Sequence, residues 1–107
     1  MRLLSAPRKL VSSLAALAVA LATGCGHHAS EAECDEIVER IATLEFARQP
    51  GAARQSADDR RSEIDATKKS LRDTTLKGCI GRRVTDRAMR CVRQARSSQE
   101  IVDGCFD

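Results

Sequence analysis

The 107 residues contain no tryptophan, no tyrosine and only two phenylalanines, Phe46 and Phe106. Proteins that bind single-stranded nucleic acid stack bases on aromatic rings, so this poverty removes that route to RNA or DNA. Histidine is nearly as scarce. His27 and His28 are the two, and nothing beyond residue 28 offers an imidazole. A nucleophile with an adjacent histidine base is therefore excluded from the later chain, which argues against hydrolase chemistry. The C-x-x-C spacing of thiol–disulfide oxidoreductases is missing too, and with it a thioredoxin-like role. No stretch alternates apolar and polar residues with period two, and no hairpin turn pair occurs. The longest apolar run, Leu10 to Ala22, has 13 residues, short of the roughly 18 to 20 that a membrane-spanning helix needs.

What stands at the amino end instead has the parts of an export signal. Arg2, Arg8 and Lys9 form a basic start with no acid, and the apolar run follows directly. Residues 1 to 24 are accordingly set apart from the folding chain. Without them, fifteen basic side chains face fifteen acidic ones, so the formal +3 of the whole chain belongs to this segment. A nucleic-acid reading based on basicity fails for the same reason.

At the end of the apolar run, Leu21-Ala22-Thr23-Gly24-Cys25 resembles the lipobox of bacterial lipoproteins. Thr23, Gly24 and Cys25 follow the family pattern; Leu21 stands one place early, with Ala22 in the leucine position. The resemblance covers these five residues. It implies a diacylglyceryl thioether on Cys25, cleavage between Gly24 and Cys25, and acylation of the new amino terminus. It also implies an exported protein held at a membrane of the bacterial envelope, the outer membrane in preference to the inner. The alternative is an ordinary secretory signal cut after Ala20-Leu21-Ala22, an A-x-A site that would release a soluble factor.

Cysteine arithmetic agrees with the lipid. Five cysteines leave one odd thiol in an oxidising compartment, and lipidation of Cys25 removes it. Cys34, Cys79, Cys91 and Cys105 remain. Residues 25 to 107 hold only fourteen Leu, Ile, Val and Phe, about 17%, below the roughly 20% under which disorder competes with folding. Cross-links are the remedy expected of an exported domain of this size. Cys34–Cys79 with Cys91–Cys105 is favoured because each bond joins consecutive elements; Cys79–Cys91 with Cys34–Cys105 is the runner-up. A zinc site on the four thiols is a further alternative, disfavoured by intervals of 44, 11 and 13 residues without a close C-x₂₋₄-C pair.

Apolar periodicity supplies the elements. Cys34, Ile37, Val38, Ile41 and Leu44 share one helical face, and Pro50-Gly51 ends the segment, predicting a first helix over 32–48. Ser56 with Asp59 reads as a cap, and Ala57, Ile64 and Leu71 as a thin seam, predicting a second helix from 57 to about 79 closed by Gly78 or Gly81. Thr85, Asp86, Ala88, Cys91, Val92 and Ala95 predict a third over 86–96, and Ser97 or Ser98 caps a short last helix over 99–103. The expected fold class is all α: a small disulfide-stapled bundle of three helices plus a short C-terminal helix, occupying residues 32–107 behind a lipidated tether, 25–31.

Charge is segregated. Residues 31–45 carry six acids against Arg40, and residues 82–96 carry six arginines against Asp86. The plain expectation is that these faces attract each other within the bundle. The sharper one is that Arg83, Arg87 and Arg90 form a face for an anionic partner, such as lipid headgroups or an acidic polymer. Other candidates are weaker. His27 and His28 lack a third metal ligand, and Asp58-Asp59 sits in a helical first turn, where carboxylates favour the dipole. No cofactor and no small-molecule substrate are expected, and so small a bundle has little room for a catalytic cleft. In these features the chain loosely resembles small four-cysteine helical lipoproteins of bacteria. The expected role is a membrane-anchored structural or protein-interaction module with an envelope partner. A metal-binding protein and a secreted inhibitor-like factor are the alternatives.

Overall fold

Ser30 begins the helical part with a reciprocal cap. Its hydroxyl accepts from the Glu33 amide at 3.1 Å while the Glu33 carboxylate accepts from the Ser30 amide at 3.1 Å, so two donors that a helix start leaves open are satisfied. In the computed structural model, which describes residues 26 to 106, helix α1 runs from there over Glu31–Arg48. Pro50 confines Gln49 to extended backbone, and α1 stops at that residue. Gly51 takes the left-handed turn, at φ 80°, into a 3₁₀ turn over Ala52–Arg54. Helix α2, Ala57–Asp73, is capped by Ser56, whose hydroxyl accepts from the Asp59 amide at 3.1 Å.

Helix α2 ends six residues before the expected Cys79. Thr74 leaves helical geometry, and the chain passes through a series of turns to residue 82. Gly78 and Gly81, at φ 77° and 87°, belong to those turns and do not cap the helix. Thr85 then caps α3, Asp86–Gln94, through the Ala88 amide at 3.0 Å. Ser97 caps α4, Ser98–Glu100, which continues as one wide π-type turn over Ile101–Cys105. The absence of strands needs one correction. His27–His28, here β1, pairs antiparallel with Arg83–Val84, here β2, in the register His27 to Val84. Two residues are too few for a period-two pattern to register in sequence.

The fold is all α, stapled by two disulfides. Cys34 bonds Cys79 with Cα atoms 6.0 Å apart, and Cys91 bonds Cys105 at 5.4 Å. Both separations lie in the ordinary range for the bond. Each staple crosses the main core, which gathers Ile37 and Ile41 of α1, Met89 and Val92 of α3, Ile101, Val84 and Ala29. A second, smaller cluster joins Ala42 and Phe46 of α1 to Ile64 of α2. Of the expected α2 seam, Ile64 is buried, Leu71 is half-buried and Ala57 is exposed. So thin an interface needs other support.

Ion pairs provide part of it, in an arrangement different from the expected one. Of the attraction expected between the acids of α1 and the arginines of residues 82–96, Glu36–Arg93 is the salt bridge found among the described residues. Asp35 and Glu39 turn instead towards α2. Lys68 Nζ lies 3.1 Å from Asp35 and 2.9 Å from Glu39, Arg61 grips both Glu39 oxygens at 2.9 and 3.0 Å, and Arg72 bonds Asp35. The reason is spacing. Arg61, Lys68 and Arg72 flank Ile64 and Leu71 on the α2 face that packs on α1, whereas most of the later arginines stand off the buried side of α3. Arg61 and Lys68 hold the Glu39 carboxyl at about 2, well below its usual 4.5. Arg93 lowers Glu36 as well.

Two measurements follow. Replacing Cys34 and Cys79 by alanine should cost about 4 kcal/mol in urea unfolding, and replacing Cys91 and Cys105 about 3, from the loop lengths closed; equal and negligible losses would contradict a staple role. Glu39 ionises more readily folded than unfolded, so its contribution is present above about pH 4.5 and lost as the pH falls towards 2. Glu39→Gln should flatten the stability profile across that window, by about 1 kcal/mol or less because the pair is largely solvated.

Candidate functional site

Of the residues that sequence singled out, His27, His28 and Arg83 meet at the edge where the chain enters the fold. Cys25 and residues 1 to 24 lie outside the described residues, so the expected signal segment and lipidation site are matters of sequence alone. Gly26, covalently next to Cys25, opens the described structure, and its surroundings are tightly built. It sits at φ 74°, a conformation that side chains disfavour. A Cβ there would lie 2.5 Å from the Val84 carbonyl oxygen and 3.2 Å from Thr85 Cγ2. The glycine is therefore required for close approach and not for slack.

The expected tether is accordingly corrected over residues 26 to 30. His27 and His28 pair with β2. Ala29 is buried, its amide donates to the Arg82 carbonyl at 2.6 Å, and its own carbonyl accepts from Gly81 at 2.8 Å. Main-chain hydrogen bonds to a loop held by Cys79 thus convert a polar, tether-like sequence into a fixed strap. Composition alone could not reveal this, because the partner strand lies some 55 residues away.

The two histidines do not form a metal pair. Neighbours in a strand point to opposite faces, and these do. His27 Nε2 donates to Glu33 at 2.8 Å with Asp86 at 3.9 Å on its other nitrogen, while His28 Nδ1 donates to the Gly81 carbonyl at 2.8 Å. The His27 hydrogen bond, and then the Ser30 amide, lower the Glu33 carboxyl below its ordinary range. Among the described residues no three His, Cys, Asp or Glu side chains gather as a metal site would. The four thiols weighed for zinc are held in disulfides. Asp58 and Asp59 lie exposed in the first turn of α2, where Asp59 serves the Ser56 cap.

The arginine face is divided. Arg83 lies in β2, and its Nη1 reaches the Gly26 carbonyl at 3.4 Å. Arg87 and Arg90 stand on α3 opposite its buried residues Ala88, Met89 and Val92, and both are exposed. Among the described residues neither enters a salt bridge, and neither does Arg82. At Arg82 and Arg83 a shallow cavity of about 150 Å³ is lined also by Ala29, Leu76, Val84 and Phe106. A second, of about 200 Å³, lies by Leu76, Cys79 and Ile80. Neither reaches the several hundred Å³ of an ordinary substrate pocket.

Sequence reasoning missed the Ser30–Glu33 box, although Ser followed by Glu three residues later was there to be read. It also missed the Arg61 and Lys68 ladder beside Ile64 and Leu71, where charges and apolar residues share a seven-residue spacing. The fold and this edge define a disulfide-stapled, all-α domain whose first residues are strapped to its core. Compared with known protein families, characterised proteins and solved structures, the chain matches none.

Gly26→Ala is expected to cost about 1 to 3 kcal/mol, through the strained φ and the contact with Val84. Hydrogen exchange at the Ala29 amide should quicken at the same time. An unchanged urea midpoint with unchanged Ala29 protection would mean that Gly26 is not packed against β2.

Proposed function

We propose that the protein is an exported envelope lipoprotein, anchored through lipid on Cys25, whose helical domain serves as a small structural or protein-interaction module. The observation that carries this reading is the pairing of the other four cysteines. With Cys34 bonded to Cys79 and Cys91 to Cys105, Cys25 is the one cysteine left for a thioether, and it follows the lipobox-like Leu21-Ala22-Thr23-Gly24. Two disulfides in a domain with so few large apolar residues also suit an oxidising compartment. No helix of the described residues is long and apolar enough to cross a membrane, and a lipid on Cys25 would supply the anchor. Several acyl chains, at about 0.8 kcal/mol per buried CH₂, would make it lasting.

Asp35, Glu36 and Glu39 are engaged in ion pairs, Glu33 in the Ser30 cap, and the two histidines point apart. What the domain presents is a cross-linked helical surface with fixed charges, suited to meeting another envelope protein.

Intact mass spectrometry of the protein isolated from its native envelope tests the reading. The expected mass is that of residues 25 to 107 bearing a diacylglyceryl group and an amide-linked acyl chain, less four hydrogens for the two disulfides. A chain starting at Thr23 without added lipid would establish the secreted alternative. Cys25→Ala should abolish the lipid adduct and the detergent-phase partition of the mature form.

A further inference from the structure

We propose that the edge around Gly26 seats directly on an anionic lipid surface, with Arg82, Arg87 and Arg90 meeting headgroup phosphates and the side chains of Ile80 and Phe106 reaching the acyl boundary. This rests on the lipid anchor proposed above, which sets the orientation; the charge and the apolar exposure at the edge are separate support.

The first support is the missing spacer. Gly26 is locked against Val84 and Thr85, and consecutive Cα atoms are about 3.8 Å apart. A lipid on Cys25 therefore brings the bilayer to the wall of the domain, with no length of free chain between them. The edge near β1 and β2 must meet headgroups.

The second support is unneutralised charge at that edge. Arg87 and Arg90 lie at i and i+3 on the outward stripe of α3, and Arg82 carries the carbonyl that receives the Ala29 amide. Arg61, Lys68, Arg72 and Arg93 are committed to the acids of α1, whereas Arg48, Arg54, Lys77 and Arg96, like Arg82, Arg87 and Arg90, enter no salt bridge among the described residues. Among the described residues, Glu33 and Asp86 lie beside β1 and Glu31 in the neighbouring cavity. Glu33 and Asp86 both face His27, and Glu31 shares its cavity with Arg72.

The third support is apolar exposure in the same place. Ile80 is 63% exposed and Phe106 45%. Phe106 lines a cavity with Arg82 and Arg83, and Ile80 precedes Gly81, which bonds both Ala29 and His28. Solvated apolar side chains close to arginines match the composition of a surface that lies in a membrane interface. Because a lipid on Cys25 would put the bilayer at this edge, a lipid surface is the occupant that meets the arginines and the apolar side chains together.

Arginine footprinting on the native protein tests this. The protein is placed on neutral phosphatidylcholine vesicles, or on vesicles containing about one third phosphatidylglycerol, and treated with phenylglyoxal. Modification is read residue by residue by mass spectrometry. Arg82, Arg87 and Arg90 are expected to react at least about threefold more slowly on the anionic vesicles, while Arg54, in the distant 3₁₀ turn, is unchanged. The protection should vanish in about 1 M salt, where the screening length is about 3 Å. Equal rates on both vesicles would overturn the proposal. Protection that arises only on adding an envelope extract would also overturn it and assign the arginines to a protein. Arg87→Gln with Arg90→Gln, both at exposed positions, should keep the helical spectrum yet remove the slower modification of Arg82; persistence of that protection would count against the seating. Flotation of the same samples reads the anchor separately. Failure to float with neutral vesicles would sink the lipid on Cys25, and the footprint on anionic vesicles would still decide the seating.

Discussion

The bond between Cys34 and Cys79 is the constraint on which the rest of the domain leans. Cys34 lies in the first turns of α1, and Cys79 lies in the series of turns after α2. Fixing that loop does more than close a ring some 46 residues around. It places Gly81 and Arg82 where the main chain of Ala29 can bond both, and it sets β2 beside β1. The entering strap, the start of α1 and the approach to α3 are thereby tied at one point. The second disulfide repeats the device at the other chain end, pulling Cys105 and the buried Ile101 onto α3.

Around these staples the apolar core is modest, and it is shared unevenly. α1 and α3 carry most of it, with Ile101, Val84 and Ala29 filling the gaps. Helix α2 brings a single buried side chain, Ile64. Its attachment relies on the disulfide just beyond its end and on Arg61, Lys68 and Arg72, which flank the narrow apolar contact. Exposed ion pairs add little individually, but with Asp35 and Glu39 they fix which face of α2 looks inward. Arg60 stacks over Phe46 at 5.7 Å in the smaller cluster, a further cation on the same seam. The arrangement explains how a chain without tryptophan or tyrosine still holds three helices in register.

The same economy shapes the edge where the chain enters. His27 and His28 read as a polar linker, but main-chain pairing makes them structural. Gly26 reads as slack, but it is the residue whose lack of a side chain allows contact with Val84. Any group attached at Cys25 would be carried close to Arg83 and the turns of residues 78–82. The proposed anchor and the proposed membrane seating would thus belong to one surface, defined by a strand pair only two residues long.

The caps of α2, α3 and α4 and the end of α1 were legible because they are local. Ser56, Thr85 and Ser97 each act on an amide three residues ahead, and Pro50 ends α1 through its own neighbour. The apolar stripe of Cys34, Ile37, Val38 and Ile41 declared α1 in the same way, since a period of 3.6 is written along the chain. The need for cross-links was equally legible, from four cysteines set among so few large apolar residues. Partners distant in sequence were not legible in this way. The pairing of residues 27–28 with 83–84, the early end of α2 and the turn of Asp35 and Glu39 towards α2 each depend on where other segments come to rest. Sequence by itself determined that these residues form helices and need sulfur bridges, because propensity, capping and periodicity act within a few residues. Tertiary structure alone decided which charges meet and that the entry segment is a strap, because those outcomes depend on contacts between parts of the chain that only folding brings together.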